Sequence, residues 1–338
     1  MNNDLIMLGH GGGGRLTSNL VHNLFLKNFR NPLLEPLHDS ALLNLGPNNL
    51  SFTTDSYVVT PLFFPGGNIG SLAVHGTVND LAMSGARPLY LSAAYILEEG
   101  FRLTELEKIV GAMAEAAWQA GVYIVTGDTK VVPRGMADGL YINTAGIGIH
   151  EELAPLGPQR IRKGDAILIN GTIGDHGAAV ITAREEGFSE NSIISDAASL
   201  HHLVKKLQDN SIKLHCLRDA TRGGAGGVLA ELAEQAQVHL QITENAIPIK
   251  ENVRGFCEIY GLEALFLANE GKMLIFCPEE EAERALQVLQ QDALGREAAI
   301  IGRVCEENQT EGRLVMKTMI GGTRVIDQPS GDLVPRIC

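Results

Sequence analysis

Residues 104–130, TELEKIVGAMAEAAWQAGVYIVTGDTK, set one helix directly against one strand. Thr104-Glu105-Leu106-Glu107 has the spacing of a capping box, in which a hydroxyl and a carboxylate satisfy the free N–H groups of a first helical turn. Leu106, Ile109, Val110, Met113 and Ala117 recur at helical spacing until Gly121 stops the pattern. Val122-Tyr123-Ile124-Val125 follows at once as a strand candidate and ends in Thr126-Gly127-Asp128-Thr129-Lys130. A helix that passes straight into a strand places the chain in a mixed α and β class.

The scheme recurs downstream. Ala166-Ile167-Leu168-Ile169 reads as a strand, Gly174-Asp175-His176-Gly177 as a turn, and a helix is expected near 178–186. Leu200, Leu203, Val204 and Leu207 mark another amphipathic helix, with further helices near 226–236 and 280–291. Strands are expected at 140–148, 272–277, 299–304 and 313–318. Residues 151–164 carry two Pro and two Gly with no clear periodicity and mark a boundary. The expected organisation is therefore an N-terminal domain over 1–155, a second over 156–325 and a tail over 326–338. The last dozen residues, DQPSGDLVPRIC, hold two Pro and little apolar content, which favours an extended, weakly tethered segment. Ten such residues reach about 30 Å at roughly 3.3 Å each, far enough to carry Cys338 into a distant cleft.

A chain of 338 residues suits two cores, and 45% apolar against 20% charged residues is a globular balance. The net charge of −13 and the lack of any basic run beyond Lys205-Lys206 argue against nucleic-acid binding. No long apolar run or leader-like start appears, so no membrane association and a cytoplasmic location are expected. The five Cys form no CxxC pair, which indicates neither zinc nor a disulfide framework. Cys216, Cys257, Cys277 and Cys305 read as small core hydrophobes. Cys338, the last residue, is set apart from them.

Gly9-His10-Gly11-Gly12-Gly13-Gly14 formally satisfies a dinucleotide fingerprint, but five Gly in six satisfy many patterns; a phosphate-covering segment or a plain loop fits as well. A Walker A loop is absent, so any ATP site must hold its phosphates through metal and carboxylates. Asp55, Asp80, Asp128 and Asp219 stand as candidates, each with an ordinary alternative as a turn former or cap. Asp80 is the least ordinary, because it falls inside a probable helix that disfavours Asp. Lys130 and Arg222 lie beside two of these and suit phosphate oxygens or surface ion pairs equally. Glu270, in Asn269-Glu270-Gly271 before a strand, is either a general base or part of a turn.

Together these segments resemble the HypE family of hydrogenase maturation proteins, within the superfamily of aminoimidazole-ribonucleotide synthetase and selenophosphate synthetase. The match runs through His10-Gly11, Thr54-Asp55-Ser56, Phe63 to Gly70, Gly76 to Asp80, Gly127 to Val131, Asp175-His176-Gly177, Arg218 to Gly224 and Asn269-Glu270-Gly271 to the terminal Pro-Arg-Ile-Cys338. The resemblance implies a two-domain PurM-like fold of α/β (α+β) class: an N-terminal mixed-sheet ATP-binding domain, a C-terminal α/β domain and a flexible tail. It also implies a homodimer formed through the first domain.

Its implied chemistry starts with HypF placing a carbamoyl group on the terminal thiol. ATP then drives its dehydration to a thiocyanate, whose cyano group passes to iron on a HypC–HypD complex. An amide oxygen leaves poorly, so the step needs phosphorylation at a kinase-like Mg²⁺ site and a base for the nitrogen protons. Cys338 carries the group, Glu270 is the expected base and Lys130 its helper. Asp55, Asp80 and Asp219 form the expected Mg²⁺ set, with Gly11, Asp128, Thr129, Lys130 and Arg222 on the nucleotide. The α-carboxylate of Cys338 disfavours its thiolate, an effect Arg336 partly offsets. Two other readings fit the same residues: a small-molecule kinase or synthetase of the same fold, and a non-catalytic carbamoyl or cyano carrier.

Overall fold

The computed structural model describes residues 14–20, 22, 35–37, 41–45, 48–150, 156–185, 193–306, 311–331 and 334–338. In the first half, β1 (Ala41–Leu45), β2 (Asn48–Tyr57), the short hairpin strands β3 (Phe63–Phe64) and β4 (Gly67–Asn68), β5 (Arg87–Glu98), β6 (Tyr123–Val132) and β7 (Leu140–Ile149) accompany helices α1 (Arg15–Leu20), α2 (Ile69–Met83) and α3 (Leu103–Gln119). Five of these strands form one sheet in the order β1-β2-β7-β5-β6, antiparallel except for the β5–β6 pair.

α2 starts at a true capping box, where the Asn68 carboxamide accepts from Gly70 and Ser71 and the Ser71 hydroxyl accepts from the Asn68 N–H. It is buried almost all round, pressed between its sheet, α3 and the second half of the chain. The box expected at Thr104 does not form, because α3 opens two residues earlier, with Arg102 in the cap position and no side-chain cap. The strand read over 122–125 as ending in Thr126 to Lys130 continues instead: β6 runs through that stretch, pairing Gly127 with Ala93 and Asp128 with Ala94.

The second half holds β8 (Asp165–Ile169), α4 (Asp175–Thr182), α5 (His201–Asp209), β9 (Cys216–Asp219), α6 (Gly224–Ala236), β10 (His239–Thr243), α7 (Glu251–Tyr260), β11 (Met273–Pro278), α8 (Glu279–Gln290), β12 (Ala299–Glu306), β13 (Arg313–Lys317) and β14 (Thr323–Ile326). Its seven-stranded sheet has the order β14-β13-β10-β12-β8-β11-β9. Along β11, Leu274 and Phe276 enter one core cluster while Met273, Ile275 and Cys277 enter another. Both faces are therefore covered, which is why β8 and β11 read as unbroken apolar runs. Ala82 and Met83 of α2 join the second of these clusters and tie the two halves together. Gly174-Asp175-His176-Gly177 is not a free turn but the start of α4, with Gly174 at a φ of 83°. No helix among the described residues is long and apolar enough to cross a membrane.

Candidate active site

One wall of the site comes from β2 and α2. Thr53 and Asp55, two residues apart, project to the helix-covered face of the sheet. The Thr53 hydroxyl donates to Asp80 Oδ2 at 2.8 Å, which explains an Asp in a helix interior. Gly76, one turn earlier on α2, carries no side chain because a Cβ there would stand 2.2 Å from the Tyr57 hydroxyl oxygen.

The second wall comes from the other sheet. Asp219 ends β9 opposite Met273 on β11, and the ladder continues as the Ala220 N–H donates to the Lys272 carbonyl oxygen. The Asn269 side chain locks the approach to β11, donating to the carbonyl oxygens of Ala220 and Leu267 and accepting from the Gly174 N–H. Asp196 accepts from the Glu270 and Gly271 N–H groups and from Lys272 Nζ at 2.9 Å. The Glu270 backbone is thus fixed on both sides. Its carboxyl is buried, and Oε1 has no hydrogen-bond partner. Burial raises the Glu270 pKa well above the ordinary range, Asp219, Asp55 and Asp196 add to the rise, and Arg222 opposes it.

The C-terminal segment completes the enclosure. The Thr60 N–H donates to the Arg336 carbonyl oxygen at 3.1 Å and the Val58 N–H to a Cys338 oxygen at 2.9 Å, extending β2 into a short ladder with the tail. Arg336 returns a bond from Nε to the Val58 carbonyl oxygen, pairs with Asp138 and lies over the Tyr141 ring. Arg184 holds the carbonyl oxygens of Thr60, Pro335 and Arg336. Ile337 is buried against the first core, and Cys338 packs at its margin. A segment expected to be weakly tethered is here docked, its side chains and backbone both engaged.

Thr53, Thr54, Asp55, Gly76, Asp80, Asp219, Thr221, Arg222, Glu270 and Cys338 line a single cavity of about 230 Å³. Arg222 is one of its lining residues, its pKa raised first by the negative charge at Cys338 and then, against some desolvation, by Asp55, Glu270 and Asp80. Carboxylates, one guanidinium and a sulfur enclosed together suit phosphoryl and proton transfer at the tail. Among the described residues no three His, Cys, Asp or Glu close into a ready metal cage. That is compatible with Mg²⁺, which keeps several waters and takes one or two carboxylates alongside phosphate oxygens.

The two halves match the family models described as AIR synthase related protein, N-terminal domain, over residues 37–150, and AIR synthase related protein, C-terminal domain, over residues 162–315. Carbamoyl dehydratase HypE of Azotobacter vinelandii is 49% identical over 339 residues, spanning 100% of this chain and 98% of the relative. The chain belongs to the HypE family. A crystal structure of the hydrogenase maturation protein HypE in complex with ATP aligns with TM-score 0.83 at 47% identity, covering 99% of this chain and 100% of the other. HypE in a HypE–HypF complex aligns with TM-score 0.86 at 45% identity, over 92% of this chain and 99% of the other.

Within this HypE-family fold, the structure gathers Asp55, Asp80, Asp219, Arg222, Glu270 and Cys338 at one cavity. Asp128, Thr129 and Lys130 lie elsewhere. Across the sheet, Asp55 is in register with Thr144, Ala93 and Gly127, whereas Asp128 shares a row with Ala94, Asn143 and Ser56. Asp128 and Lys130 therefore project from the opposite face, three strand spacings or about 14 Å from β2. There Lys130 Nζ pairs with Asp128 at 3.0 Å, holding the Asp128 carboxyl below its usual range with help from the Thr129 N–H. Gly11 lies outside the described residues. Sequence reasoning missed Asp196, Ser195 and Asn79, which position the site from a loop and a helix. Only Asn79, polar within an apolar helix, left a trace.

Proposed function

We propose that this chain is the ATP-dependent carbamoyl dehydratase of hydrogenase maturation, acting on an S-carbamoyl group carried by its own Cys338. The carrying observation is that Cys338, the buried Glu270 and three aspartates line one cavity. A small-molecule kinase would leave that space to a diffusible acceptor, whereas here the chain's own end lines it.

Dehydration removes the carbamoyl oxygen and both nitrogen protons while the S–C bond stays intact. ATP makes the oxygen a leaving group by phosphorylation, so that it departs on phosphate. Mg²⁺ would neutralise phosphate charge in that transfer, with Asp55, Asp80 and Asp219 as the carboxylates to hold it. Arg222 balances negative charge gathered around the tail. Glu270 takes one nitrogen proton: it lines the cavity, its Oε1 has no hydrogen-bond partner, and Arg222 favours the ionised form that accepts; the second proton leaves with the phosphate. The docked tail covers the cavity and limits water that would hydrolyse the intermediate.

The open face of the first sheet supports a homodimer. Phe52, Ile147, Tyr90 and Tyr123 fall in one row across four strands, exposed by 44%, 38%, 45% and 71%. An apolar stripe beside the unpaired edge of β6 is the kind of surface a second copy covers. Asp128 and Lys130 project from that same face further along β6, so they would approach a nucleotide held by the partner subunit. HypF, found with HypE in the crystallised complex, is the proposed carbamoyl donor, and a HypC–HypD complex the acceptor of cyanide.

The test is the mass of the C-terminal peptide. Carbamoylated protein given Mg²⁺-ATP is expected to lose the mass of one water there, and no loss in correctly modified protein rejects the reading. Deleting Cys338 is expected to abolish the product; a kinase reading requires product to continue.

A further inference from the structure

The Asp175-His176-Gly177 motif supplies none of the cavity's chemistry, yet it touches the segment that does. His176 is fully buried in the first turn of α4, with its ring edge-on to Phe64 of the first domain at 5.3 Å between centroids. Both ring nitrogens are engaged at 2.8 Å, Nδ1 with the Ser195 hydroxyl and Nε2 with the carbonyl oxygen of Ile337.

These contacts fix the proton. A carbonyl oxygen only accepts, so Nε2 must carry hydrogen; in neutral imidazole Nδ1 is then the acceptor. The Ser195 oxygen already accepts from the Ala197 N–H at 3.1 Å, which leaves its own proton free to donate to Nδ1. Burial lowers the His176 pKa, consistent with one neutral tautomer. Ser195 is itself anchored across the domain boundary, its N–H donating to the Pro65 carbonyl oxygen. The relay runs from the first domain through Ser195 and His176 to the peptide bond that carries Cys338.

We propose that His176 is a positioning residue, a latch whose Nε2–H, set by Ser195, grips the Ile337 carbonyl and fixes the register at which the Cys338 sulfur enters the cavity. The ladder at Val58 and Thr60 aligns the strand direction but ends at a chain terminus, where strands fray. A side-chain donor between its rungs holds the last peptide against that fraying. The latch reads backbone, so it serves the free, carbamoylated and cyanated thiol alike.

The proposal rests on Cys338 as the carrier, and two readouts separate the two ideas. One is the rate at which maleimide alkylates Cys338 in the full-length protein, followed on the C-terminal peptide. The other is ATP-driven loss of water from the carbamoylated form. His176→Phe keeps the ring and its packing but removes the donor. It is expected to raise Cys338 alkylation at least tenfold and lower dehydration by a similar factor, with ATP affinity unchanged. His176→Gln, whose amide reaches the position of Nε2, is expected to restore protection to within about threefold of wild type. Ser195→Ala, far smaller in volume change, tests the relay if His176→Phe folds poorly: it is expected to expose Cys338, and Ser195→Thr to protect it. Folded His176→Phe and Ser195→Ala proteins with wild-type alkylation rates overturn the latch. Faster alkylation together with no dehydration even in wild type sustains the latch and overturns the carrier reading instead.

Discussion

Glu270 concentrates the chemical argument at the scale of a single residue. Its backbone is clamped by Asp196, its carboxyl is surrounded by other acids, and one oxygen is free. Glu270→Gln keeps the shape and removes the base, so dehydration should fall by about 10²–10⁴, the usual contribution of a positioned base. ATP binding should persist, and the melting temperature should not drop, because relief of burial cost and of repulsion from Asp219, Asp55 and Asp196 outweighs the lost attraction to Arg222. Parallel measurement of water loss, ATP affinity and melting checks all three; a clear fall in melting temperature would make the role structural. Asp80 stood out in the sequence because Asp is unusual in a helix interior, whereas Glu270, beside Gly at a strand edge, read equally as a turn and was singled out by the family resemblance. Asp196 and Ser195 were not, since an Asp and a Ser in an aperiodic loop are what any loop contains. Convergence of Asp55, Asp80 and Asp219 depends on two sheets meeting, and spacing within one segment carries no information about that.

At the scale of elements, glycines on two neighbouring helices make opposite predictions. Gly111 on α3 has nothing within 4 Å of a built Cβ, so Gly111→Ala should stabilise by about 1 kcal/mol through helix propensity alone. Gly76 on α2 would place its Cβ 2.2 Å from the buried Tyr57 hydroxyl oxygen, so Gly76→Ala should destabilise by about 1–3 kcal/mol despite the same propensity gain. Paired thermal or urea unfolding of the two variants reads both signs at once; the same sign for both would show that the α2–β2 contact tolerates a methyl. Helices and doubly covered strands were legible for related reasons: α3 has a strong 3.6-residue period, and β8 and β11 are unbroken apolar runs. β2, with the sequence NNLSFTTDSY, was not expected as a strand, because its buried positions include Ser51 and Thr53. β6 was cut short at Val125 because Gly127 and Asp128 look like a turn, and only an edge strand tolerates them.

For the whole molecule, the unresolved tension of the sequence is that residues expected around one nucleotide lie on both faces of one sheet. The proposed second subunit would resolve it, since a C₂ pair could bring the face bearing Asp128 and Lys130 of one copy to the cavity of the other. Ile147→Asp sits at the centre of the apolar stripe and should convert a dimer, twice the 36.3 kDa chain, into a monomer by light scattering. Complementation then asks whether Lys130 works in trans. Cys338→Ala has no carrier and Lys130→Ala lacks the helper, so each homodimer is expected to be inactive in dehydration. In a mixed dimer, the protomer bearing Cys338 would borrow Lys130 from its partner. Random exchange makes half of the dimers mixed with one competent site each, so about a quarter of wild-type activity should return. Lys130 acting within its own chain leaves the mixture as inactive as its parts. An active Lys130→Ala homodimer would remove Lys130 from the chemistry altogether. Because both proteins retain the stripe, failure to complement cannot be attributed to loss of pairing, which light scattering of the mixture verifies directly.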